Sequence, residues 1–65
     1  MNNLELYKTF YYVAKAGSIT AAAQQLSLTQ PAVSQSMKQL EAQLNVSLFQ
    51  RTAKGIRLTK EGEIL

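Results

Sequence analysis

Three residues, Ser27-Leu28-Thr29, separate a run of strong helix formers ending at Leu26 from a second helical run that opens on Gln30-Pro31. So short a break gives the chain no room to travel, and the two helices must cross as immediate neighbours. Before the break, Ala21, Ala22, Ala23, Gln24, Gln25 and Leu26 combine high helix propensity with small side chains that let another helix approach. After it, Pro31 has no amide hydrogen to lose in a first turn and disfavours helical geometry at the residue before it. Thr29 or Gln30 is therefore the cap of the later helix. Val33, Met37, Leu40 and Leu44 follow at i, i+4, i+7 and i+11, a narrow apolar stripe running to Asn45, which tolerates the left-handed geometry of a helix stop. The opposite face carries Pro31, Ser34, Gln35 and Lys38.

The flanking segments complete the order of elements. Leu6, Phe10 and Val13, with Tyr7 and Ala14 beside them, predict an amphipathic helix over residues 4–16 with Tyr7 in the core and Lys8, Tyr12 and Lys15 outside. Gly17 supplies a positive φ to stop it, and Ser18 or Thr20 caps the next helix. Beyond Asn45, residues 48–51 and 56–59 read as two short strands around a four-residue loop, Thr52-Ala53-Lys54-Gly55. Lys60 then opens another helix, capped by Thr59, with Glu61 and Glu63 in the first turn where the helix dipole favours acids. No repeat or linker interrupts this order, so residues 1–59 are expected to form one domain and 60–65 the truncated start of a further helix.

Composition decides which chemistry such a domain can do. At 65 residues, 46% hydrophobic and 17% charged, the chain suits one small folded core. It has no Cys, His, Asp or Trp, which removes disulfides, Cys/His zinc sites, thiol and Ser-His-Asp catalysis, and any imidazole base. Its only acids, Glu5, Glu41, Glu61 and Glu63, do not form a helical pair aimed into a shared cleft. We therefore expect no enzyme, no metal and no cofactor. The uncharged stretch 16–37 is too rich in Gln, Ser and Thr to be a membrane span or a secretory signal, which makes the cytoplasm the default location. The net charge of +3 is mild, but Arg51, Lys54, Arg57 and Lys60 fall within ten residues that hold no acid.

A helix, a short helix, a three-residue turn, a helix with a polar outer face and a basic hairpin make the layout of a winged helix-turn-helix: mainly α, three helices plus a small two-stranded wing. The helix-turn-helix spans about 18–44 and the wing about 48–59. The close crossing needs a small residue, met by Ala22 or Ala23, and the pair is locked to a core by Leu26, Leu28 and Val33. Base edges in a groove about 12 Å wide require short hydrogen-bonding groups, met by Gln30, Ser34 and Gln35, with Pro31 suited to a thymine methyl. Taken singly, a Gln- and Ser-rich helix face is most often just solvated, and Lys38 alone is an ordinary surface lysine. Four cations around one tight hairpin, however, are placed for phosphates or the minor groove. The competing class is a winged-helix protein-interaction module that does not bind DNA, which would need neither this basic cluster nor Gln30-Pro31.

The runs FYYVAKAGSIT and AAAQQLSLTQPAVSQSMKQLEAQLNVSLFQRTAKGIRLTKEG resemble the N-terminal domain of LysR-type transcriptional regulators. The most specific segments are Thr29-Gln30-Pro31-Ala32-Val33-Ser34, Leu40-Glu41, Leu48-Phe49-Gln50-Arg51, and Leu58-Thr59 with Gly62. The resemblance implies a bacterial transcription factor that binds double-stranded DNA, with the recognition helix in the major groove and the wing on the backbone or minor groove. By the same resemblance, base reading falls on Gln30, Pro31, Ser34 and Gln35, and backbone or wing contacts on Thr20, Thr29, Lys38, Arg51, Lys54 and Arg57. It further implies a dimerisation linker helix starting at 60–65, a homodimer or tetramer on an inverted-repeat operator, and a small-molecule effector bound by a C-terminal domain absent from these residues. Position 35, often Arg in the family, is Gln here, favouring an adenine-directed or water-mediated contact over a guanine-directed one. Ala21 replaces a frequent Arg, and Asn45 and Ser47 stand where Gly and Pro are common.

Overall fold

Every helix after the first begins at a hydroxyl. In the computed structural model, which describes residues 3–65, the Ser18 Oγ accepts from the Ala21 amide at 3.2 Å, Thr29 Oγ1 from Ala32 at 3.2 Å and Thr59 Oγ1 from Gly62 at 3.1 Å. Each is a side-chain cap three residues ahead of its donor, worth about 1 kcal/mol, and the first two decide open choices: Ser18 over Thr20, Thr29 over Gln30. The elements are α1 (Asn3–Ala16), α2 (Ile19–Leu26), α3 (Gln30–Leu44), β1 (Phe49–Thr52), β2 (Gly55–Leu58) and α4 (Lys60–Ile64). Ser27 and Asn45, both left-handed at φ 58° and 56°, close α2 and α3. The turn between those helices is the expected three residues.

α1 packs on both α2 and α3, which also pack on each other, and the hairpin closes the remaining side. Leu6, Phe10 and Val13 of α1 meet Ala22 and Ala23 of α2, Val33, Met37 and Leu40 of α3, and Leu48 just ahead of β1. Ala22 is fully buried, as the close crossing of α2 requires. The Phe10 and Phe49 rings, 5.4 Å apart and tilted by 50°, join α1 to the hairpin. The mainly α architecture with an antiparallel two-stranded wing is therefore as the sequence indicates.

Three local expectations are corrected. Tyr7 lies outside the core at 38% exposure, while Thr9 is buried and Tyr12 packs against the core's edge. The inward stripe of α1 is Leu6, Thr9, Phe10 and Val13, and Thr9 can enter it because its hydroxyl donates to the Glu5 carbonyl at 2.9 Å. Leu28, expected to lock the helix pair, is 40% exposed because the left-handed Ser27 turns the chain outward there. The wing is also tighter than expected. Thr52 pairs with Gly55, so the turn is Ala53-Lys54 alone, with Gly55 at φ 130° and the Thr52 hydroxyl accepting from the Lys54 amide at 3.2 Å.

Candidate nucleic-acid interface

α3 splits lengthwise into a face that builds the core and a face that meets solvent. Val33, Ser36, Met37 and Leu40 are buried, and the Ser36 hydroxyl donates to the Ala32 carbonyl at 3.0 Å. One quarter to one half turn away, Pro31, Gln35 and Lys38 are exposed, as are Thr29 and Gln30 at the helix start. Thr29 accepts the capping bond from Ala32, and its own O–H remains a donor at the same corner. Thr20 is exposed in the first turn of α2.

The hairpin sorts its cations by strand register. Phe49 pairs with Leu58 and Arg51 with Ile56, so these four share one face, while Gln50, Thr52, Gly55 and Arg57 share the other. Phe49 touches Phe10, which fixes its face as the helix side. Arg51 accordingly turns toward α3 and lines a recess with Ser34, Lys38, Glu41 and Ile19. Arg57 lies on the hairpin's back, and Lys54 sits at the turn. The fold thus brings Ser34, Lys38 and Arg51 together and leaves Arg57 apart from them. Ser34 is half-buried in the recess, whereas Gln30, Pro31 and Gln35 are exposed to solvent. Among the described residues, no ion pair engages Lys38, Arg51, Lys54 or Arg57, which leaves these cations open to an external anion.

Two residues of this region were not singled out from the sequence as contributing to it. Gln39 is exposed one turn beyond Gln35 and extends the polar face. The i+4 spacing from Gln35 carries that signal. Glu41 is half-buried in the last turn of α3, and its Oε2 accepts from the Leu48 amide at 2.7 Å and the Phe49 amide at 3.4 Å. A carboxylate near the negative end of a helix dipole is disfavoured unless it has a specific partner, and that placement was the legible clue. At the far side of the same turn, Thr59 donates its hydroxyl to the Ser47 carbonyl at 2.6 Å and its amide to the Leu48 carbonyl at 3.0 Å.

With this geometry in place, comparison with known proteins is decisive. The family described as bacterial regulatory helix-turn-helix protein, lysR family, matches residues 4–63. The chain belongs to the LysR family. Its relatives include the HTH-type transcriptional activator CmpR of Synechocystis, 43% identical over 60 residues, covering 92% of this chain and 20% of CmpR. Another is the HTH-type transcriptional regulator YofA of Bacillus subtilis, 48% identical over 58 residues, covering 89% of this chain and 20% of YofA. This LysR-family chain therefore spans about a fifth of the length of these two curated relatives. Among solved structures, the complex of the CbnR DNA-binding domain with DNA superposes with a TM-score of 0.92 at 40% identity, over 97% of this chain and 72% of that one. The complex of the BenM DNA-binding domain with catB site 1 DNA gives 0.91 at 30% identity, over 97% and 71%. The winged helix-turn-helix of LysR regulators is thus the fold of this chain, and no described helix is long and apolar enough to cross a membrane.

Proposed function

We propose that this LysR-family domain binds double-stranded DNA sequence-specifically, with the first half of α3 in the major groove and the wing on the phosphate backbone or minor groove. One observation carries the reading: Ser34 and Lys38 of α3 and Arg51, the unpaired cation on the hairpin's helix side, line one recess, on the same helix that exposes Gln30, Pro31 and Gln35 to solvent. Gln30, Pro31 and Gln35 are exposed and read base edges, Gln35 matching the donor and acceptor of adenine. Thr20, Thr29, Lys38, Arg51 and Lys54 hold phosphates, and Arg57 adds its charge from the far face of the wing. Ser34, set back between Lys38 and Arg51, is placed to serve a phosphate as readily as a base. The family and the two DNA complexes of similar domains support the assignment.

In the whole regulator we place residues 60–65 at the start of a linker helix that joins two copies on an inverted repeat. A further domain would receive a small-molecule effector, and the protein would work in the bacterial cytoplasm. Pairing compensates for the small footprint of one module. The test is fluorescence anisotropy against an operator selected from random duplex. Gln30→Ala should cost roughly 1–3 kcal/mol on the selected site and little on random DNA. Equal loss on both would refute its base-reading role.

A further inference from the structure

We propose that Glu41 is the positioning residue of the interface: its carboxylate tethers the wing to the reading helix and so sets where Arg51 meets the duplex. The inference rests on the DNA-binding reading above. Leu48, fully buried, is the last residue before β1, and its amide donates to Glu41 on α3 at 2.7 Å while its carbonyl accepts from Thr59 ahead of α4. Phe49 sends its amide to the same oxygen at 3.4 Å. One carboxylate oxygen thus receives both amides at the point where the chain leaves the core to form the wing. Charge-assisted bonds of this kind are stronger and more directional than bonds between neutral groups. Arg51 stands two residues beyond Phe49 on the same strand face, so any drift of the strand root carries the guanidinium away from Ser34 and Lys38.

The proposal makes a prediction whose sign runs against charge counting. Glu41 lines the same recess as Lys38 and Arg51, so deleting a merely local acid raises the net charge of +3 by one and should tighten binding to DNA. A tether gives the reverse. Glu41→Ala frees the strand root and loses the Arg51 contact, flattening the plot of log affinity against log salt by about 0.9. Taking 1 M salt as the limit where that contact contributes nothing, the loss is about fifteenfold at 50 mM and about fourfold at 200 mM. Glu41→Gln keeps an acceptor oxygen at the same reach and should retain the wild-type slope, with affinity equal or higher.

The experiment measures anisotropy of a random 20-base-pair duplex across 50–200 mM salt for wild type, Glu41→Ala and Glu41→Gln, with amide hydrogen exchange at Leu48 and Phe49 in the free proteins. Weaker, flatter binding and faster exchange in Glu41→Ala alone would establish the tether. Tighter binding by both variants with unchanged slopes would overturn it, leaving Glu41 as a local charge. If Glu41→Ala does not fold, Glu41→Asp replaces it, with the charge kept and the reach cut by one methylene. A flatter slope supports the tether there too, and a slope and exchange like wild type refute it. If wild type binds no duplex at 50 mM, the titration is repeated on the domain fused to a dimerising coiled coil, and failure of that dimer would overturn the DNA reading. The exchange arm then still decides whether Glu41 holds the strand root.

Discussion

Replacing Gly62 with alanine should destabilise this domain, although alanine is the better helix former. A Cβ built at Gly62 falls 2.4 Å from the Leu48 carbonyl oxygen and 3.1 Å from Leu58 Cδ2. The leucine methyl can turn aside, but the carbonyl is backbone of a fully buried residue and already accepts from the Thr59 amide at 3.0 Å. Restoring ordinary contact near 3.4 Å moves α4 away from the β1 root by about 1 Å. Overpacking of this kind costs about 1–3 kcal/mol, and stretching the Thr59 bond adds about 1 kcal/mol. Helix propensity returns about 1 kcal/mol, leaving a net loss near 2 kcal/mol. In a domain of this size that lowers Tm by roughly 8–16 °C, while exposed Glu63→Ala in the same helix serves as the control. Thermal denaturation reads the shift, and exchange at the Thr59 amide reports whether α4 has lifted. A Gly62→Ala protein with wild-type or higher Tm and a protected Thr59 amide would refute the close-approach argument.

Arg51→Ala should flatten the salt dependence of duplex binding by about 0.9, a loss of about 1.6 kcal/mol at 50 mM salt by the same 1 M limit, whereas Arg57→Ala, on the wing's other face, should lose less; anisotropy titrations with equal losses would break that division. Ser18→Ala removes the α2 cap and should cost about 1 kcal/mol in urea denaturation, whereas Thr20→Ala should leave stability nearly unchanged. Leu40→Ala empties a fully buried position on α3 and should cost about 2–5 kcal/mol, enough to unfold a small domain at room temperature by circular dichroism.

The elements were legible because their signals are local. Gly17, Pro31 and Asn45 each mark a helix end through their own backbone chemistry, and the stripe Val33, Met37, Leu40 needs only helical period to point inward. What failed depends on which part of a face meets a neighbour. Tyr7 follows Leu6 directly, so its ring turns about 100° off the buried line, and only the position of α3 shows that Thr9 takes the inward place. In the wing, strands at 48–51 and 56–59 already imply the observed pairing of Arg51 with Ile56, but which face meets the helices is settled only by the contact of Phe49 with Phe10. The loop Thr52-Ala53-Lys54-Gly55 concealed only the last pair of the ladder, since Thr52 and Gly55 look like turn residues and pair as strand residues. Glu41 was visible as part of the LysR-like pattern, but its partners lie seven and eight residues on and are brought to it by the turn at Asn45.

α3 also divides along its length. Its fifteen residues extend about 22 Å, nearly twice the width of a major groove, so only the leading part can lie among the bases. That part carries Gln30, Pro31, Gln35 and Lys38 in solvent, while Leu40 and Glu41 behind them are committed to the core and the strand root. On the proposed docking, mutations that change which sequence is read therefore fall mostly on residues the fold does not lean on. A gene duplicate could drift to a new operator by single surface substitutions, each compatible with a folded intermediate. In the trailing half Leu40 and Glu41 are held by the core and the strand root, and the exposed Ala42 and Gln43 lie beyond the groove's width, so the family's diversity of targets should be written mostly in the leading half.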